Sequence, residues 1–161
     1  MSRRPPAVPK ADDVGGEAGA PLVGIVIVSH VAALAEGVVA FATMQARNVR
    51  VVPAGGILDP ATGEFEIGTD ATRIVAAIRE ADAGAGVVVL GDMLGAFIAI
   101  ETAVTDILPL EDPDLAARVR VSGGPLVEGA YFAAMQANIG ESLDDVLENA
   151  DAAAALVKLE R

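Results

Sequence analysis

Leu22-Val23-Gly24-Ile25-Val26-Ile27-Val28, followed at once by Ser29-His30, is the stretch that decides the fold. An unbroken apolar, largely β-branched run without polar alternation marks a strand covered on both faces, as strands of parallel sheets are. Ser29-His30 ends it, and a helical segment is expected over 31–46. The same unit then recurs. A short strand is expected at 49–52, a loop through Gly55, Gly56, Pro60 and Gly63, and a helix opening at Gly68-Thr69-Asp70 and running to Ala81. Thr69 is the expected N-cap there, with Asp70 in the first turn facing the helix dipole. GVVVLG (86–91) reads as a third buried strand, 93–108 as a helix stopped by Pro109, and 118–121 as a fourth strand. Helices at 128–138 and 142–159 close the chain, the second opened by Ser142 with Asp145 in a variant capping box.

Strands alternating with helices require right-handed crossovers. The expected fold is α/β: a doubly wound, mainly parallel four-stranded sheet of order 2-1-3-4 with helices on both faces. Residues 1–20, rich in Pro, Gly, Ala and charge without a hydrophobic period, read as a disordered extension. Residues 21–161 form the expected single domain.

Composition narrows the chemistry. The 161 residues carry 11 Lys and Arg against 23 Asp and Glu, a net charge of −12, which gives nucleic acid no electrostatic foothold. With no cysteine, disulfides, thiolate nucleophiles and thiolate metal sites are excluded. A single histidine excludes an imidazole-rich metal site within one chain, and no clustered Asp/Glu motif suggests a hard cation, so neither metal nor cofactor is expected. Each apolar run is interrupted before the roughly 18 residues of a membrane span. Arg3-Arg4 is followed by Pro5-Pro6 instead of a signal-peptide core. A cytoplasmic protein without a membrane or nucleic-acid partner is the expectation. Neither GxGxxG after the first strand nor GxxxxGK[ST] anywhere is present.

Open parallel sheets bind ligands beyond the carboxyl ends of their strands, where strand order reverses. His30 follows strand one and Asp92 follows strand three. If those strands are neighbours, the carboxylate can take a hydrogen bond from one imidazole nitrogen and leave the other as a nucleophile. His30 also precedes a helix, whose unpaired N–H groups would stabilise a phosphoryl group on the ring. The candidate catalytic residues are therefore His30 and Asp92. Ser29, Val31, Thr69 and Gly95 are the candidate lining of the phosphoryl site. The narrow polar stripe of 93–108 (Glu101, Thr102, Thr105, Asp106) leaves apolar surface beyond what the sheet covers. With the Ala-rich stretch 129–137, it suggests a homodimer.

Five motifs in order, Val26-Ile27-Val28-Ser29-His30, Leu34-Ala35-Glu36-Gly37, Ile67-Gly68-Thr69-Asp70, Glu101-Thr102-Ala103 and Pro125-Leu126-Val127-Glu128-Gly129-Ala130, carry a resemblance. Over about residues 22–157 the chain resembles the phosphotransfer subunit of phosphoenolpyruvate-dependent dihydroxyacetone kinase, a relative of mannose-family IIA domains of the sugar phosphotransferase system. The resemblance implies a dimeric phosphotransferase component that takes a phosphoryl group from phospho-HPr on the histidine matching His30. It would pass that group to ADP on the kinase's nucleotide-binding subunit, for phosphorylation of dihydroxyacetone. The family usually has Ser where Val31 stands and Gly-Ser where Leu94-Gly95 stands. Two hydroxyls are thereby missing, and Leu94 is expected to narrow the crevice. The alternatives are a IIA domain serving a sugar permease and a non-catalytic dimeric regulatory paralogue. A flavodoxin-like cofactor binder would need a hydroxyl-rich loop after strand one, which the chain lacks.

Overall fold

The computed structural model describes residues 19–160. Most of the expected extension (1–18) lies outside them. Four parallel strands form the sheet: β1 (Gly24–Ser29), β2 (Val51–Gly55), β5 (Val87–Gly91) and β6 (Val119–Ser122), in the order β2-β1-β5-β6. The strand order is therefore the expected one, with strand one between strands two and three.

Alternation along β1 and β5 divides the core in two. Ile25, Ile27, Val88 and Leu90 point to one face, where they meet Ala35, Val38 and Ala42 of α1 (Ala32–Ala42). Ala130, Ala133, Ala134 and Ala137 of α6 (Leu126–Asn138) and Val146 and Ala150 of α7 (Leu143–Ala152) complete that layer. Val26, Val28, Val87 and Val89 point to the other face, against Ile74, Val75 and Ile78 of α2 (Ala71–Ala81) and Ala96 and Ile100 of α3 (Leu94–Glu101). Fully burying each Val or Ile contributes about 1.5–3 kcal/mol, so these two layers fix the register. α2 packs closely on the sheet: a Cβ on Gly24 would lie 2.1 Å from the Ala81 carbonyl oxygen.

Several elements differ from expectation. Asp70, not Thr69, caps α2, because its carboxylate accepts from the N–H groups of Thr72 and Arg73. β2 runs on through Pro53 to Gly55, which an edge strand tolerates because proline's missing donor is needed only on an inner strand. The loop after it contains a small antiparallel hairpin, β3 (Ile57–Leu58) with β4 (Phe65–Glu66). Pro109 does not stop its helix. A π-helical segment (Thr102–Ile107) follows α3 and leads into α4 (Leu108–Glu111), which places Pro109 in a first turn, where its N–H is not needed. A short α5 (Pro113–Ala116) precedes β6. The last helix ends at Ala152, before a 3₁₀ turn over Ala153–Ala155, and not at Leu159. Ala130, Ala133, Ala134 and Ala137 of the Ala-rich stretch are consumed by the core of the single chain.

Candidate functional site

Parallel pairing of β1 with β5, in the register Val28↔Gly91, sets the ends of these strands side by side. His30 and Asp92, which are 62 positions apart in sequence, are thereby brought together. Nδ1 of His30 lies 2.9 Å from Oδ1 of Asp92. The other carboxylate oxygen, Oδ2, accepts from the Ser29 hydroxyl at 2.8 Å and from the His30 backbone N–H at 2.9 Å. The Met93 N–H donates to Oδ1 at 2.7 Å. A carboxylate only accepts, so Nδ1 carries the proton in the neutral ring and Nε2 keeps its lone pair.

Burial of Asp92 would raise its pKa. Hydrogen bonds from the His30 N–H, the Ser29 hydroxyl and the His30 ring outweigh that effect and hold its carboxyl below the ordinary aspartate value. Asp92 is 11% exposed and His30 30%, so the carboxylate is sheltered while the imidazole reaches solvent.

Nε2 faces the first turn of α3. A Cβ on Gly95 would lie 2.7 Å from it, so only glycine lets the ring rest in this position unmoved. Met93, the N-cap of α3, supplies no side-chain acceptor. The N–H groups of Leu94 and Gly95 thus open the positive end of the α3 dipole beside Nε2. Sequence reasoning assigned this role to α1, the helix that follows His30. The register that seats the ring against α3 is a tertiary feature without a local signal.

The remaining candidates surround this pair. Ser29 is fully buried behind Asp92, with its hydroxyl donating to the carboxylate and accepting from the Val31 N–H at 3.1 Å. Val31 is the N-cap of α1 and offers no side-chain hydrogen bond. Thr69 is half-buried and follows Gly68, whose N–H donates to the His30 carbonyl at 2.9 Å. Leu94 is 81% exposed and turned to solvent, so it does not narrow the crevice as expected. Among the described residues, no group of three or more His, Cys, Asp or Glu side chains is placed to hold a metal ion. Nor is any helix among them long and apolar enough to cross a membrane.

The sequence profile of the family described as PTS system fructose IIA component matches residues 24–147, a span that holds every site residue above. The chain belongs to this family. It is 39% identical over 131 residues to the phosphoryl donor subunit DhaM of PEP-dependent dihydroxyacetone kinase from Klebsiella michiganensis, a match covering 80% of this chain and 26% of that protein. The chain thus spans about a quarter of that relative's length. A shorter relative, the phosphoryl donor subunit DhaM of PEP-dependent dihydroxyacetone kinase 2 from Listeria innocua, is 30% identical over 128 residues, which cover 79% of this chain and 95% of that one. Among solved structures, a protein of unknown function superimposes with a TM-score of 0.67 at 24% identity, covering 81% of this chain and 93% of the other. That likeness shows the fold alone.

Proposed function

We propose that the chain is a histidine phosphocarrier, the phosphoryl donor component of a dihydroxyacetone kinase, working in the cytoplasm. The observation that carries this reading is the 2.9 Å contact of Asp92 with Nδ1 of His30, which leaves Nε2 as the lone-pair nitrogen beside the first turn of α3. Nε2 attacks the phosphorus of phospho-HPr. A P–N bond forms at His30 as the P–N bond of the donor breaks, and the donor ring leaves with the electron pair. Asp92 stabilises the positive charge that develops on the imidazole, and the N–H groups of Leu94 and Gly95 face the phosphoryl oxygens. Thr69, Ser29 and Val31 complete the surroundings, with Ser29 acting from behind the carboxylate. In the return step an oxygen of ADP, held on the kinase's nucleotide-binding subunit, attacks the same phosphorus and Nε2 leaves.

The surface around His30 suits protein partners better than a free small molecule. Val31, Leu34, Ile67, Met93 and Leu94 are exposed large apolar residues, each in a segment that touches or adjoins His30, its hydrogen-bond partners or Gly95. Such a collar would be desolvated when a carrier or kinase subunit docks. The exposed Ile98, farther along α3, supports a homodimer formed through that helix. The family description favours a second reading, in which the acceptor is a sugar-permease component.

Incubation with phosphoenolpyruvate, enzyme I and HPr, followed by intact mass measurement, tests the carrier. One acid-labile phosphoryl group on the wild type and none on His30→Ala is the expected result. No gain, in a reaction where a control IIA domain is labelled, overturns it. Offering the phosphorylated chain either the kinase subunits with ADP or a permease component then decides the acceptor.

A further inference from the structure

The Ser29–Asp92 contact has a twin at the far edge of the sheet. Ser29 and Ser122 are the two polar residues fully buried among those described, and each is the last residue of its strand. The Ser122 hydroxyl donates to Asp151 Oδ1 at 2.6 Å, and the next N–H, of Gly123, donates to the same oxygen at 3.0 Å. The N–H after that, of Gly124, donates to the Ser122 hydroxyl oxygen at 3.1 Å. At β1 the corresponding distances are 2.8, 2.9 and 3.1 Å. The two clasps match bond for bond, with Gly123 standing where His30 stands.

A clasp that forms around a glycine does not need an imidazole. It is a device that ends a buried strand, satisfies two N–H groups and pins one oxygen of a carboxylate. At β6 the second oxygen serves no ring. At β1 the second oxygen, Oδ1, accepts from the Met93 N–H and faces Nδ1.

We infer that Ser29 is a positioning residue, which engages Oδ2 of Asp92 so that Oδ1 is committed to the imidazole and the lone pair to Nε2. Without the hydroxyl, Oδ2 keeps only the His30 N–H, and the carboxylate gains freedom to turn away from the ring. The Val31 N–H loses its hydroxyl acceptor as well. The consequence for phosphotransfer rests on the carrier reading above, whereas the orientation of the ring does not.

The test is a matched pair in the full chain, Ser29→Ala and Ser122→Ala, each removing the same two bonds. Three quantities are read: the urea midpoint, the ¹⁵N shifts of the His30 ring, which report the tautomer, and the initial rate of phosphorylation. Both variants are expected to lose similar stability. Only Ser29→Ala is expected to move the ring shifts towards a mixed tautomer and to slow labelling about tenfold, the effect of part of one charged hydrogen bond. Unchanged ring shifts in Ser29→Ala, or equal changes in Ser122→Ala, overturn the inference. If the wild type accepts no phosphoryl group the carrier reading fails, and the ring shifts still decide the role of Ser29. Should Ser29→Ala not fold, Ser29→Cys against Ser122→Cys makes the same comparison, because a thiol is close in volume and a weak donor.

Discussion

Replacing Asp92 with Asn separates the two tasks of its carboxylate. The amide oxygen can keep the Oδ2 position, where the Ser29 hydroxyl and the His30 N–H donate at 2.8 and 2.9 Å. The amide nitrogen then occupies the Oδ1 position, 2.9 Å from Nδ1, and donates to it, while the Met93 N–H at the exposed start of α3 gives up its bond to that position for water. Nδ1 must accept, its proton moves to Nε2, and the nucleophilic lone pair is lost. A wrong-tautomer aspartate-to-asparagine change in serine-protease triads costs about 10⁴ in rate, so a loss of about 10³–10⁴ in phosphorylation is expected here. In free energy this is about 4–5 kcal/mol of barrier. Stability should fall far less, because the clasp survives at neutral strength: about 1–2 kcal/mol. Asp92→Ala, by contrast, orphans the buried Ser29 hydroxyl and the His30 N–H together, for about 3–5 kcal/mol, or a melting point lower by roughly 6–20 °C. The assays are intact-mass time courses with the phosphoenolpyruvate relay, urea unfolding, and ¹⁵N shifts of the ring. Labelling of Asp92→Asn within threefold of wild type, with Nε2 still unprotonated, refutes the division of labour. So does equal destabilisation by the two variants.

Four further outcomes follow. Gly95→Val places a branched side chain on a Cβ position 2.7 Å from Nε2 and displaces the ring, so labelling should slow about 10–100-fold with little change in the urea midpoint; an unchanged rate counts against the contact. Gly24→Ala drives a Cβ to 2.1 Å from the Ala81 carbonyl and should cost about 3 kcal/mol in urea unfolding. Gly123→Ala, with nothing within 4 Å of the added carbon, should stay within about 0.5 kcal/mol of wild type. Because the Asp92 carboxyl is held below its ordinary value near 3.8, its contribution to stability is fully present above that pH. It is lost as pH falls through the lower folded value. Unfolding midpoints of wild type between pH 5 and 3 should therefore drop more steeply than those of Asp92→Asn; parallel curves would sink this account.

What could be read in advance divides along physical lines. β1 and β5 are legible because a strand covered on both faces needs an unbroken apolar run, and few other structures need one. His30 and Asp92 are legible because the carboxyl end of a strand is a fixed place in this architecture. Gly95 as the contact of Nε2 is not, since nothing near it in sequence specifies which helix the ring will face. The π-helical segment at 102–107 hid behind ordinary helical residues, and Pro109 read as a stop because its effect depends on the turn before it. Thr69 and Asp70 are both good caps, and choosing between them needs the backbone angles, which are extended at Asp70 (φ −128°, ψ 114°). The Ala-rich face of α6 suits a tight helix–sheet contact as well as it suits a subunit interface, and composition does not separate them.

A chain with a net charge of −12 is an unexpected place to hold a phosphoryl group, and the local electrostatics resolve the conflict. Among the described residues, no hydrogen bond or ion pair joins Asp92 or the His30 ring to an Arg or Lys. On the proposed reading, stabilisation comes from the backbone N–H groups at the start of α3 and from Asp92 acting through the ring. Those partial charges favour an anion by about 0.3–1 kcal/mol at an exposed helix end, far less than a bidentate guanidinium clamp supplies. A carrier needs that restraint. Its phosphoryl group must be received from one partner and surrendered to the next, so each kcal/mol that deepens the intermediate also raises the barrier to leaving it. An arginine in the crevice would speed capture and slow release, whereas backbone dipoles facing the phosphoryl oxygens lower the transfer barrier while leaving the group transferable.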